Sequence, residues 1–384
     1  MLQHWMLDPD VTYLNHGTVG APPRRVLEAQ QALRDEIERQ PSQFLLREAA
    51  GMMGAVPVRP TRMRAAAQVV AGFVGARAED LAFVDNATTG ANAALGSLDL
   101  REGDEILITD HAYGAVANAA RFVARRRGAR VVTVELPYPP RDPGALVEAI
   151  AAGVTKRTRV AVVDHVTSES ALLLPLAAIA ERCRALGVPV LVDGAHAPGA
   201  IALDIPSLGV DWYTGNLHKW AWSPRSSGIL WVAPARQGEL HAPVISWGLD
   251  QGFAAELDWP GTRDPTPHLA APVGIALMRE LGVEAVRRYN HELAREAGRV
   301  LAARWSTELA VDESWVGTMV TLPLPARLGS TREDAARLRD ALLFEDRIEV
   351  QLHAWRGRLW TRVSAQIYND LADVERLANA VASR

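Results

Sequence analysis

Lysine is almost absent from this 384-residue chain: only Lys156 and Lys219 stand among its 41 lysines and arginines. Arginine stays charged at any working pH, whereas a desolvated lysine can release its proton and add to a carbonyl. Chemistry that needs a lysine nucleophile therefore has two addresses. Cysteine is scarcer still, and the single Cys183 excludes an intrachain disulfide and lends secretion no support. Leu176, Ile179, Ala180 and Cys183 share the three-and-four spacing of one helical face, which makes Cys183 a core thiol and not a nucleophile. Long apolar runs are missing too: 65–76 and 171–180 are too short for a bilayer, and the first nine residues lack the basic-then-apolar order of a signal peptide. A net charge of −4 gives no electrostatic reason to expect nucleic acid or an anionic membrane. A cytoplasmic protein without nucleic-acid or membrane partners is expected.

Several motifs are also wanting. There is no phosphate-loop lysine motif, G-x-G-x-x-G, H-E-x-x-H or G-x-S-x-G. The 10 histidines are dispersed. Asp110–His111 and Asp164–His165 offer donors but no compact ligand spacing, so no metal is expected.

What is present is alternation. Short runs rich in valine and isoleucine at 81–84, 105–108, 131–134, 160–163, 189–192, 212–213 and 228–232 read as strands. Helical patterns at 90–98, 114–127, 143–152 and 175–186 lie between them. This order predicts an α/β fold with a mainly parallel sheet covered by helices on both faces, and a ligand crevice at the carboxyl ends of strands. An amphipathic helix is expected over 22–39 and a loop or extended segment over 13–17. Residues 236–267 lose periodicity and read as a passage to a smaller α+β domain, with helices over 273–304 and 331–343 and strands at 319–322 and 360–363. The expected division is a large α/β domain over 15–255 and a small domain built from 1–14 and 256–384.

Of the two lysines, Lys156 lies in a polar stretch before a strand, the ordinary address of a solvated loop charge. Lys219 lies in Gly215-Asn-Leu-His-Lys-Trp220, 26 residues after Asp193, which ends an apolar strand. A lone lysine for an aldehyde and a buried carboxylate for a ring nitrogen suggest pyridoxal phosphate. Asp193 could equally cap the following turn or bind a metal. The segment Asn86-Ala-Thr-Thr-Gly90 opens a helix with small and hydroxyl residues, which suits a phosphate ester or an ordinary N-cap. Asn216 and His218 could reach phosphate oxygens from a loop at the sheet edge. His196 could bond a phenolic oxygen or Asp193, or be structural, and Trp212, Trp220 and Trp222 could exclude water or fill the core.

Together Asn86-Ala-Thr-Thr-Gly90, Val192-Asp-Gly-Ala-His196 and Gly215-Asn-Leu-His-Lys219 resemble the class V aminotransferase family of fold-type I pyridoxal phosphate enzymes. Tyr13-Leu-Asn-His-Gly17, Asp110-His-Ala-Tyr-Gly114 and the segment 359–369 bring the resemblance closest to its isopenicillin N epimerase-like subgroup. The resemblance implies that Lys219 holds the cofactor aldehyde and that Asp193 pairs with the pyridinium nitrogen. It implies phosphate contacts from Ala87, Thr88, Thr89, Asn216 and His218, and from Thr262 of a neighbouring subunit, hence a homodimer with shared sites. Tyr113 would stack on the ring, with His111 as second choice, and Ser168 and His196 would approach the phenolic oxygen. Arg362 would fork onto a substrate carboxylate, unless it is a strand-edge surface arginine. Asn15, His16 and His353 would join substrate binding. Desulfurase relatives carry a cysteine shortly before that arginine; residues 348–357 contain none, which argues against a persulfide carrier.

The activity implied is chemistry at the α-carbon of an amino acid or amino-acid-derived substrate, epimerase-like, with His16, Tyr113 or His353 as a second acid. A cysteine-conjugate C–S lyase or an aminotransferase would use the same site. A non-catalytic cofactor-binding regulator and a metal-dependent hydrolase are the readings from other classes.

Overall fold

The computed structural model describes residues 1–53 and 59–384. The chain starts with β1 (Thr12–Tyr13), a helical turn α1 (His16–Val19), and helices α2 (Arg24–Arg39) and α3 (Arg62–Phe73). Then strands and helices alternate: β2 (Leu81–Val84), α4 (Ala87–Gly96), β3 (Glu105–Thr109), α5 (Gly114–Arg127), β4 (Arg130–Val134), α6 (Pro143–Ala152), β5 (Thr158–Asp164), α7 (Leu176–Ala185), β6 (Val190–Asp193), β7 (Trp212–Asn216) and β8 (Gly228–Val232). These strands form a seven-stranded sheet in the order β2-β8-β7-β6-β5-β3-β4. Only β8 runs antiparallel to its neighbours.

The apolar runs follow from burial on both faces of the sheet. Along β5, Val160 and Val162 join one core with Ile106, Ile108 and Leu191, while Ala161 and Val163 join the opposite core with Leu107, Val190 and Val192. Helix α7 buries Leu176, Ile179, Ala180 and Cys183, so the thiol is core, as its spacing predicts. Lys156 lies in an exposed turn.

After α8 (Phe253–Asp258), the pattern expected as one helix over 273–304 is two, α9 (Thr266–Leu281) and α10 (Val283–Trp305). Gly282 separates them at φ +82°, a conformation that an α-helix cannot contain. The three-stranded antiparallel sheet β11-β12-β9 combines β9 (Met319–Pro323), β11 (Gln351–Trp355) and β12 (Arg358–Ser364), with α11 (Arg332–Phe344) and α12 (Leu371–Ala382). Strand β1 pairs with β10 (Ile348–Glu349), and Leu14 enters the core of Leu301, Val363 and Leu377. The amino-terminal segment thus belongs structurally to the carboxyl-terminal body. The loop or extended segment expected over 13–17 is extended at β1 and then turns into α1, which brings Gly17, Thr18 and Val19 to the crevice. No helix among the described residues is long and apolar enough to cross a membrane.

Parallel pairing in register places Asp164, at the end of β5, beside Asp193, at the end of β6. Strand β7 ends alongside them at Asn216, and the chain then turns into Lys219.

Candidate active site

A cavity of about 520 Å³ opens where β5, β6 and β7 end, lined by Thr88, Tyr113, Asp164, Asp193, His196, His218 and Lys219 among others. A second chamber of about 570 Å³ adjoins it and reaches Arg362. Thr18, Tyr113, Ser168 and Lys219 line both.

The backbone around Lys219 is held from several directions. Leu217 and His218 donate their N–H groups to Ser227 O at 3.0 and 3.2 Å. Trp222 adopts φ +58° while fully buried, its ring edge-on to Trp5 at 5.6 Å. Surrounding packing must over-determine such a conformation in a bulky residue. The chain at Gly20, at φ +68°, passes so close that a Cβ there would lie 1.8 Å from His218 O.

Lys219 is 8% exposed. Burial, reinforced by the Arg362 charge and only partly offset by Asp193, lowers its ammonium to about 7. Its Nζ lies 3.2 Å from His196 Nε2, and Trp220 Nε1 donates to His196 Nδ1 at 3.4 Å. An indole can only donate, so Nδ1 is the acceptor and the ring proton of neutral His196 sits on Nε2, facing the lysine. Burial, with Lys219 and Arg362 nearby, keeps His196 well below the usual imidazole range. The pair favours an unprotonated amine.

Asp193 accepts from Ala195 N–H through Oδ1 at 3.0 Å, while its buried Oδ2 has no partner. Burial raises its pKa, opposed by that N–H and by Lys219. Asp164 is 3% exposed. Burial and then the Asp193 charge hold it well above the usual carboxylate range, eased by the Tyr113 N–H. A buried carboxylate oxygen without a donor is costly unless something cationic completes it.

At the other end of the cavity, Asn86 caps α4 by accepting from Thr89 N–H at 3.0 Å, and Thr89 Oγ1 donates to the same oxygen at 3.3 Å. Ala87 N–H donates to Asn216 Oδ1 at 2.8 Å. The amide expected of Ala87 is thus spent inside the protein, and Thr88 contributes the amide left in that first turn. Asn216 holds the helix terminus and keeps its NH₂ for an anion. His218 Nδ1 donates to Ser227 O at 3.0 Å; burial and Lys219 lower it to about 4.

Arg362 is 2% exposed, not a surface residue. Its Nη1 donates to Ser168 O at 2.6 Å, and its Nη2 to Thr18 Oγ1 at 2.9 Å and Asn15 Oδ1 at 3.4 Å. No carboxylate lies within salt-bridge distance among the described residues. Burial, partly offset by Glu169, lowers the guanidinium to about 10. A fixed, unneutralised fork lines the second chamber.

Three expected substrate contacts are placed otherwise. His16 is fully buried, with Nδ1 accepting from Tyr368 OH at 2.9 Å and Nε2 donating to Lys219 O at 2.8 Å. It lines neither chamber and holds the lysine backbone instead. Asn15 steers Arg362 and donates to Glu349 at 2.7 Å. His353 is 8% exposed, its ring nitrogens are buried without partners, and burial lowers it to about 4; it too lines neither chamber. Tyr113 faces both chambers at 45% exposure. His111 lines the second chamber and is bonded through Nδ1 to Ser170 Oγ at 2.6 Å. Thr262 is exposed and lines neither chamber of its own chain. His165 bonds Tyr213 OH at 2.8 Å, and no cluster of three or more potential metal ligands occurs among the described residues.

Asp164, Thr18 and Arg225 also line the chambers and were not expected. Asp164 ends an apolar strand just as Asp193 does, and that repeated pattern was the available signal.

Pyridoxal phosphate fits this residue set at three points. A neutral amine faces its aldehyde, the orphan Asp193 oxygen suits a protonated ring nitrogen, and the α4 terminus with His218 suits its phosphate. Sheet, crevice and lysine–aspartate pair define a fold-type I enzyme that depends on pyridoxal phosphate. The aminotransferase class-V family model matches residues 59–325, and the chain belongs to that family. Isopenicillin N epimerase of Streptomyces clavuligerus is 34% identical, over 98% of this chain and 95% of that protein. A probable chloroplastic L-cysteine desulfhydrase of Arabidopsis thaliana is 31% identical, over 97% and 83%. The solved cystine C–S lyase C-DES, in complex with its product cysteine persulfide, superposes with a TM-score of 0.79 at 23% identity, over 97% and 98%.

Proposed function

We propose that this enzyme removes the α-proton of an amino-acid substrate with Lys219 as base, and that loss of a sulfur-linked β-substituent follows. The observation that carries this reading is the buried Lys219, without a carboxylate at salt-bridge distance among the described residues and lowered to about 7, in one cavity with the orphan oxygen of Asp193 and beside the unneutralised guanidinium of Arg362. Bound pyridoxal phosphate supplies an electrophilic aldehyde and a ring that accepts the electrons left when a bond to the α-carbon breaks.

With the cofactor bound, Asp193 would keep its ring nitrogen protonated, Thr88, Asn216 and His218 would hold its phosphate, and Tyr113 would stack on it. Arg362, kept in place by Ser168, Thr18 and Asn15, receives the substrate carboxylate in a bidentate pair. That anchors the α-carbon beside Lys219 Nζ. His196 donates toward that nitrogen, which favours the unprotonated amine; the lone pair it engages is released when Lys219 takes the proton. Elimination needs only this one base, and the L-cysteine desulfhydrase relatives share the family.

Epimerisation is the second reading. It needs an acid on the opposite face, and of His16, Tyr113 and His353 only Tyr113 lines the chambers. The isopenicillin N epimerase relatives favour it. Incubation with L-cysteine derivatives in D₂O separates the two: elimination releases a thiol or sulfide, and epimerisation returns inverted, α-deuterated substrate. Absence of a visible band and of Lys219 labelling after borohydride reduction would overturn both.

A homodimer belongs to the same proposal. Thr262 would serve the partner's phosphate, and exposed Val244 (56%), Ile245 (56%) and Trp247 (77%) supply an apolar surface for association. Cytoplasmic location is likewise part of it, supported by the lone buried Cys183.

A further inference from the structure

The second chamber exceeds what a short side chain needs, and its walls carry a charge bias. Beyond Lys219, which the cofactor aldehyde would take up, and Arg362, which the proposed α-carboxylate neutralises, the charged groups lining it are Asp110 and Glu169. Glu169 makes no side-chain hydrogen bond or salt bridge among the described residues; burial raises its pKa, opposed by the Arg362 and Arg332 charges. Asp110 accepts Leu136 N–H at 2.9 Å and otherwise has Arg356 Nη2 at 3.7 Å. Arg356 does not line the chamber: it lies over the Trp355 ring at 4.5 Å and donates to Tyr138 O at 3.1 Å and Glu135 at 3.3 Å.

A second observation also points to a ligand. The His111 side chain, 3% exposed, lines the same chamber with Nε2 unpartnered, 3.8 Å from Asp110. The chamber thus offers two carboxylates and a buried imidazole nitrogen beside an apolar wall of Ala112, Tyr113, Ala115 and Trp355. A substrate tail with a negative charge would meet repulsion there, and a purely aliphatic one would leave polar groups unsolvated.

Resting on the cofactor reading above, we propose that the second chamber selects α-amino acids whose side chain carries a distal cation, received by Glu169 and Asp110. The tail runs from the α-carbon at Lys219 past Tyr113, with its cationic end between the two carboxylates. Glu169 and Asp110 are specificity-determining residues and take no part in proton transfer.

The test uses holoenzyme and three amino acids of similar length: L-lysine, L-norleucine and L-2-aminoadipate. Equilibrium binding is read from the change in cofactor absorbance and, independently, from titration calorimetry. Each favourable or unfavourable charge contact at a partly desolvated site changes affinity by about tenfold. Lysine is therefore expected to bind about tenfold tighter than norleucine, and aminoadipate about tenfold more weakly. Glu169→Gln and Asp110→Asn should each narrow the lysine-to-aminoadipate ratio. Equal binding of lysine and aminoadipate, or a ratio that neither variant moves, overturns the proposal and leaves the cofactor reading standing. If no amino acid alters absorbance or releases heat, this proposal falls together with the amino-acid substrate reading, whereas the cofactor reading falls only if the protein shows no visible band and no Lys219 label after borohydride reduction.

Discussion

In cofactor-free protein, Lys219→Met should raise stability, and the gain should shrink with pH. Lys219 is buried to 8% exposure with no carboxylate at salt-bridge distance among the described residues. The unfolded chain keeps this proton up to 10.5, whereas the folded chain gives it up at about 7. Below pH 7 both states are protonated and the folded state bears the whole cost of a buried charge. Between 7 and 10.5 only the unfolded state holds the proton, so the cost falls as pH rises. At about 1.4 kcal/mol for each tenfold change in proton affinity, the cost is about 5 kcal/mol at pH 6 and about 2 kcal/mol at pH 9. Methionine has comparable length and no charge, so it removes that cost. Asp193 loses a neighbouring cation in the exchange, which trims the gain at both pH values. Urea unfolding of the two apo proteins at pH 6 and pH 9 measures the difference. An equal gain at both pH values, or a loss at both, would show that Lys219 is not held neutral by burial.

Asp193→Ala should weaken cofactor retention by about 2 kcal/mol or more, because a buried charge pair loses one member; dialysis followed by absorbance reads this, and unchanged retention refutes the pairing. Arg362→Lys keeps the charge but not the fork, and should lower kcat/KM about tenfold to a hundredfold for substrates with an α-carboxylate. Amines without that group should be hardly affected, and steady-state kinetics on both classes decides. Gly20→Ala places a methyl 1.8 Å from His218 O at φ +68°, so it should destabilise the fold by about 1–3 kcal/mol. A thermal midpoint equal to the parent's would contradict the close approach at His218.

Local pattern made the sheet and its lysine–aspartate pair legible, because a strand buried on both faces announces itself in a run of four residues, and a lone lysine limits its own candidates. Directions of side chains were not legible. His16 and Asn15 sit in a motif beside the crevice, yet one points to the Lys219 carbonyl and the other to Arg362. His353 shares a face of β11 with Gln351 and Trp355, which line the chamber, but its own ring nitrogens are sealed off. Asp164 acquires meaning only from the register of β5 against β6, a pairing across 29 residues of chain. The break at Gly282 was a matter of one backbone angle inside an otherwise continuous apolar periodicity.

The hydrogen-bonded line from Tyr368 through His16 to the Lys219 carbonyl bears on biosynthesis. It joins three stretches that leave the ribosome far apart in time, since His16 must wait for Lys219 and then for Tyr368. The local hold on the lysine backbone, from Leu217 and His218 to Ser227, needs only the sheet, but the tie through His16 to Tyr368 needs nearly the whole chain. A nascent or prematurely terminated chain would carry its reactive amine in an unfinished setting, and capture of the cofactor would report that synthesis had run to completion.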